Sequence, residues 1–390
     1  MPQSFVEFPA LTGLRGIAAL WVLLFHLWAL CGEPLLNVGA GNIQLPVHAF
    51  FSVGWVGVDI FFTLSAFLLA LPFAAWQLHV APRPPLTRYF LRRVLRIFPA
   101  YYAQLAILLL LALMFGIGRS LDLHDLLAHL VLWLLLGDNP VMPLNGVWFT
   151  LPIEFAFYLS LPFLALLLKP RWWIVLLLGA VLLAISYRWY AYLSVASAPV
   201  PQRVNVIERF PGRLDQFVIG MLSAYLFVAI GSGKQRVLRM SNALIFWIGS
   251  IGLMTMCAWI FGVGRQYWDG HPLLFFWHTL TSVALGLIIF SAARGTALTQ
   301  RLLANRILHY LGEVSFGIYL WHIPILLWLQ PFVPTTWSGA ERMLGVGIPL
   351  MVLTVLAAHL SYVLIERPAL RWGRPHSAQP ALETELPQIV

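Results

Sequence analysis

The chain has 390 residues, of which 60% are hydrophobic and only 10% charged, with a mean hydropathy of +0.83; a soluble domain carries about 25% charged residues, so a soluble globular protein is excluded. A net charge of +9 would suggest nucleic acid as the partner of a soluble protein. Here the charges fall in short loops between apolar runs, where they act as topology signals, and no nucleic-acid partner is expected.

The first apolar run, near residues 12–32 (LTGLRGIAALWVLLFHLWAL), contains Arg15 and His26. An Arg at the centre of a membrane helix costs about 2.5–3.5 kcal/mol, so both residues are candidates for function. No basic region precedes this run, and it reads as a retained span rather than a cleaved signal peptide. The second run, 54–76, carries Asp59 near its start. The third, 97–117, follows the sequence YFLRRVLRIFPAYY, which brings Arg92, Arg93 and Arg96 together. Arg93 and Arg96 share one helical face. The segment 123–136 is apolar but fourteen residues long, which suits a re-entrant or interfacial segment. Further spans are expected near 147–168 (with Glu154 about two turns in), 172–192, 212–231, 243–262, 273–293, 308–330 (with His322) and 343–365.

The expected fold is therefore all-α, a polytopic helical membrane protein of about ten transmembrane helices. With 123–136 not crossing and both termini cytoplasmic, all the Arg and Lys residues except Arg119, Arg188, Arg203, Arg209, Arg213, Arg265 and Arg342 lie inside, as the positive-inside bias requires. Residues 1–372 form one membrane-embedded domain, and 373–390 a polar, disordered tail. Cys31 and Cys257 build neither a disulfide framework nor a metal site, and no metal is expected from the His spacings.

In this topology His26, Asp59, Glu154 and His322 lie at similar depth toward the outer side. A neutral imidazole needs an orienting partner to act as a base, and Asp59 or Glu154 is expected to supply it to His26. Each has a plainer reading as well: a satisfied core histidine, or a carboxylate at a helix start. His278 and His359 read as structural. At the cytoplasmic end, paired guanidinium groups suit phosphate. A long phosphorylated donor, such as acyl-coenzyme A, would bridge the two ends.

Seven segments in order, FPALTGLRGIAALWVLLFH, VGVDIFFTLSAFLLA, RRVLRIFPAYY, WFTLPIEFAFYLSLPFL, GRLDQFVIGMLSAY, LGEVSFGIYLWHIPIL and SYVLIERPALR, make the chain resemble the acyltransferase family 3 of integral membrane O-acyltransferases. The resemblance covers roughly residues 8–372. It implies transfer of an acyl group, commonly acetyl, from cytoplasmic acyl-CoA as co-substrate to a hydroxyl of a glycan, lipid-linked saccharide or related acceptor. It also implies a bacterial inner-membrane location and no permanently bound cofactor. By position, the family's Arg-x10-His motif falls on Arg15 and His26, making His26 the expected catalytic residue, as general base or as transient acyl carrier. The Arg-x-x-Arg motif falls on Arg93 and Arg96, which together with Arg15 are expected to contact the donor. Trp148, Phe149, Thr150, Leu151 and Glu154 match the Trp-Ser-Leu-x-x-Glu motif with a looser centre, and Ser65, Ala66 and Phe67 stand where Ser-Gly-Phe is usual. Glu154 and Asp59 are expected to join the catalytic group, and His322, Trp148 and Tyr319 to line the acceptor side. Some members carry a secreted hydrolase-like domain beyond the last span. With so few residues after the last span, none is expected here, and a second acyl relay is expected to need a separate protein. The rival expectation is a proton-coupled transporter or flippase using the same intramembrane groups as a relay.

Overall fold

The structure, a computed structural model, describes residues 8–40, 43–116, 118–132, 141–233 and 241–372. The expected tail and residues 133–136 of the 123–136 segment lie outside them. Among the described residues, nine helices are long and apolar enough to span a membrane: α1 (Pro9–Leu30), α2 (Val56–Gln77), α3 (Leu86–Phe115), α4 (Gly146–Leu167), α5 (Trp172–Val195), α6 (Phe210–Gly231), α7 (Asn242–Asp269), α8 (Leu273–Ala293) and, after the next pair, α11 (Gly339–Trp372). The pair is α9 (Arg306–Glu313) and α10 (Ser315–Phe332), bent by 72° at their junction, and it makes a tenth crossing if counted as one span. The helical membrane-protein class is as the composition requires.

Two elements differ from the sequence reading. The expected continuous span 308–330 is broken at Val314, because hydropathy records composition and not direction, and no proline marks the break. The third helix starts at Leu86, eleven residues before its apolar run, and so carries Arg92, Arg93 and Arg96, with Arg93 and Arg96 on the helix their shared face required. Among the described residues from 123 to 132, Leu123–Leu130 form a short helix.

The bundle is centred on α2, which packs most extensively against α6 and also against α1 and α8. Helix α1 is held against α9 by small residues. A Cβ on Gly16 would stand 2.6 Å from the Leu308 carbonyl oxygen, and one on Gly312 would collide with the Thr12 carbonyl. Such glycines let helix backbones touch where lipid gives no hydrophobic drive to associate. Gly312→Ala is therefore expected to cost about 1–3 kcal/mol by overpacking, read as a lowered melting temperature in detergent. Gly179→Ala, where a Cβ would meet open space, is the control expected to leave it unchanged or slightly raised.

Helix α10 is fixed by a second device. Pro324 has no N–H, so the Leu320 carbonyl loses its helical partner. Gln104 Nε2 from α3 and Asn145 Nδ2 just before α4 each donate to it at 2.8 Å. Trp148 Nε1 donates to Gln104 Oε1 at 2.8 Å and closes the knot. An orphaned buried carbonyl is costly, and satisfying this one ties α10 to α3 and α4 at the level of Tyr319 and His322.

Candidate active site

Arg15 and His26 are eleven positions apart on α1, about three turns and roughly 16 Å, so they face the same side of the helix. At the far position, half-buried His26 meets buried His322 of α10, with His322 Nε2 3.1 Å from His26 Nδ1. Each Nδ1 also points at a carbonyl of its own helix: His26 at Val22 O, 2.9 Å, and His322 at Ile318 O, 3.1 Å.

At the near position, a cavity of about 60 Å³ is lined by Arg15 of α1, Ser65 of α2, Arg96 of α3, Glu154 and Tyr158 of α4, and Ser315 and Tyr319 of α10. That is room for a few water molecules. Glu154 Oε1 accepts from Tyr158 Oη at 2.5 Å and from Ser65 Oγ at 3.2 Å. Arg96 donates to Glu366 at 3.3 Å and lies over the Phe316 ring. Glu366 is buried, and it ends a π-helical turn, Tyr362–Glu366, inside α11. Such turns occur often at functional sites. Arg15 lies within electrostatic range of Arg96, Glu154, Tyr158 and Glu366. Arg93 stands one layer back, its guanidinium 5.7 Å from the centre of the Tyr158 ring.

Tyr319 separates the two positions. Its ring borders the cavity and lies 5.9 Å from His322 and 6.0 Å from Phe61. Its hydroxyl is pinned by Thr150 Oγ1 at 2.9 Å and Val147 O at 3.0 Å.

Asp59 and Glu154 were expected to orient His26; the partner in the structure is His322 instead. Glu154 is engaged by Ser65 and Tyr158. Asp59 belongs to a separate buried cluster, because its place in the first turn of α2 faces α6 and α8. Asp59 Oδ1 accepts from Arg213 at 2.6 Å and Gln216 at 2.7 Å, and lies 3.1 Å from His278 Nδ1; Trp277 Nε1 donates to its Oδ2 at 3.1 Å. Arg213 also pairs with Glu208, which His278 Nε2 approaches at 3.2 Å. Burial pushes the Glu208 carboxyl up, but Arg213 and then His278 outweigh it and hold it below the ordinary range. Beside this cluster, Arg188 of α5 and Asp215 of α6 form a second fully buried pair, 2.8 Å apart. Trp148 is fully buried in the α3–α10 knot and does not border the cavity.

Arg15, Arg96, Glu154 and Tyr319 are thus brought around one cavity, with Arg93 close behind and His26 and His322 paired beyond Tyr319. Glu366 and Tyr158 were missed as site residues, although both stand in the motif segments SYVLIERPALR and WFTLPIEFAFYLSLPFL. Among the described residues, Asp122, His124 and Asp125 bring possible ligand atoms within 4.8 Å of one another. Asp122 caps the short helix after it and Asp125 pairs with Arg119 at 2.9 Å, so both have structural work.

The family model described as an acyltransferase domain (Acyl_transf_3) matches residues 8–364. The O-acetyltransferase OatA of Staphylococcus aureus (strain NCTC 8325 / PS 47) is 25% identical over 384 residues, covering 94% of this chain and 57% of that protein. The peptidoglycan O-acetyltransferase OatA of Listeria monocytogenes serovar 1/2a is 25% identical over 387 residues, covering 94% and 56%. A putative O-acetyltransferase of Staphylococcus aureus (strain COL) is 24% identical over 384 residues, covering 94% and 58%. The chain therefore spans little more than half the length of these relatives. No solved structure gives a significant match.

Proposed function

The chain belongs to this acyltransferase family, and from that premise we propose that it is a membrane O-acyltransferase. It takes an acyl group, acetyl first, from acyl-CoA and passes it to a hydroxyl of a glycan or glycolipid. The observation that carries this reading is a cationic cavity and a histidine pair on one continuous face, divided by a single tyrosine. The names of the relatives support acetyl as the group moved, and one of them supports peptidoglycan or a related glycan as the acceptor class. A bacterial inner membrane with both termini cytoplasmic completes the reading, and puts Arg15 and Arg96 on the side where acyl-CoA is made.

In this mechanism Arg96, Arg93 and Arg15 hold donor phosphates through charge-assisted hydrogen bonds. Glu366 occupies Arg96 until the donor displaces it. The Tyr319 ring has to swing aside for the thioester to reach His26. His26 Nε2 removes the acceptor hydroxyl proton as the oxygen forms its bond to the acyl carbon. The carbon–sulfur bond breaks, and the CoA thiolate takes the proton back from the imidazolium. In the covalent version His26 Nε2 itself attacks the thioester carbonyl and expels the CoA thiolate; the acceptor oxygen then displaces the imidazole from the acyl carbon, and its proton goes to the thiolate.

The test uses protein in nanodiscs with radiolabelled acetyl-CoA. Arg96→Gln, made together with Glu366→Gln so that no buried carboxylate is stranded, is expected to weaken donor binding about 10- to 100-fold, the equivalent of one charge-assisted contact. Failure of folded wild-type protein to bind acetyl-CoA or longer acyl-CoAs would overturn the reading in favour of transport.

A further inference from the structure

With both rings neutral, the histidine pair has one consistent set of protons. Val22 O and Ile318 O accept hydrogen bonds and donate none, and each faces the Nδ1 of its own histidine at 2.9 and 3.1 Å. Both Nδ1 atoms therefore carry hydrogen. His322 Nε2 faces His26 Nδ1 at 3.1 Å. A hydrogen on His322 Nε2 would set donor against donor, so this nitrogen presents its lone pair and His322 is neutral. His26 Nδ1–H is then shared between Val22 O and His322 Nε2. The remaining nitrogen, His26 Nε2, carries the lone pair.

From this geometry we infer that His322 is the positioning residue of the reaction: it locks His26 in the Nδ1–H tautomer and keeps Nε2 free to act. The inference rests on the acyltransferase reading above. His322 is itself fixed by two constraints. Its Nδ1 is anchored on Ile318 O, and its helix is held through the Leu320 carbonyl by Gln104 and Asn145. When His26 Nε2 takes the acceptor's proton, the charge that appears on the ring is met at Nδ1–H by the His322 lone pair. No carboxylate is required at that place, which accounts for Asp59 and Glu154 being engaged elsewhere. A neutral acceptor also costs less to bury than a carboxylate would.

The same contact gives opposite orders of activity for a positioning and for a packing role of His322. Glutamine can present an amide oxygen to His26 Nδ1–H; leucine fills the volume and accepts nothing. If His322 positions His26, His322→Gln is expected to keep kcat for acetyl-CoA turnover within about 10-fold of wild type, and His322→Leu to lose about 100-fold or more, the usual scale of general-base catalysis. KM for acetyl-CoA stays within a factor of about three in both. A packing role predicts the reverse order, with leucine the better substitute. The readout is release of the CoA thiol by full-length protein in nanodiscs, with water or soluble peptidoglycan fragments as acceptor. An independent arm needs no leucine variant: in the His26→Ala background, His322→Gln should cost nothing further, since the residue acts only through His26. Leucine equal to or better than glutamine, a loss confined to KM, or a further loss in the His26→Ala background would each overturn the inference while leaving the acyltransferase reading intact. Equal turnover by wild type and His26→Ala would remove His26 from the reaction, and the inference with it; no turnover by folded wild type would overturn the acyltransferase reading itself.

Discussion

Replacing His26 with alanine is expected to lower acyl transfer at least 10²- to 10⁴-fold, the range a positioned general base contributes. Donor binding should be nearly unchanged, because His26 lies about 16 Å along α1 from Arg15, beyond the Tyr319 ring that borders the cavity. The variant should still fold. His26 is half-buried, and its side-chain hydrogen bond across helices is to His322 Nε2. Losing that contact strands one neutral acceptor, a cost of about 1–3 kcal/mol. The measurement is single-turnover consumption of radiolabelled acetyl-CoA, alongside equilibrium binding and a melting curve on the same preparation. The two chemical versions separate in the wild type. Without acceptor, the covalent version leaves label on the denatured protein and the direct version leaves none. Robust turnover by folded His26→Ala would remove His26 from the reaction altogether.

The histidine pair shows what a single sequence can and cannot disclose. His26 and His322 were both legible as costly polar groups in apolar runs, and Arg15 and Arg96 as cations near one end. Their depth along their helices follows from counting at a fixed rise per residue. Which of them meet depends on rotation and neighbour choice, and these are set by features without a local periodic signature. Gly16 and Gly312 bring α1 against α9, and the proline-orphaned Leu320 carbonyl fixes α10 against α3. Asp59 was misassigned as a partner of His26 for that reason: the direction it faces on its helix was unknown. Its true partner Arg213, at the start of its own apolar run, was counted only as an outside charge, because nothing local in the sequence shows which helix it faces. Glu366 was hidden differently. It sits past the expected end of the last span, and only the extension of α11 through a π turn carries it inward to Arg96.

The largest effect on stability is expected not at the cavity but at Arg213. This guanidinium is 4% exposed and lies between Asp59, fully buried, and Glu208, 4% exposed. It is anchored to both carboxylates and to Gln216 Oε1 at 2.9 Å. Arg213→Ala would leave two acidic groups close together with only the His278 imidazole between them, as well as an empty space beside Phe62, over which the guanidinium lies. Breaking a buried ion pair by removing one partner costs about 3–5 kcal/mol, much more than the intact pair contributes, because the abandoned charge stays desolvated. The cluster joins α2, α6 and α8 with the loop ahead of α6, so the loss should appear as a lowered cooperative melting temperature in detergent. A local loosening confined to one helix end is not expected. Arg213→Lys keeps the charge but loses the planar fork that reaches several acceptors at once, and should fall between. The decisive variant is Arg213→Met with Asp59→Asn and Glu208→Gln, which removes the charges together. If the stranded carboxylates are the cause, the triple variant will be more stable than Arg213→Ala alone. A triple variant no more stable than the single would instead assign the loss to packing around Phe62 and Trp277.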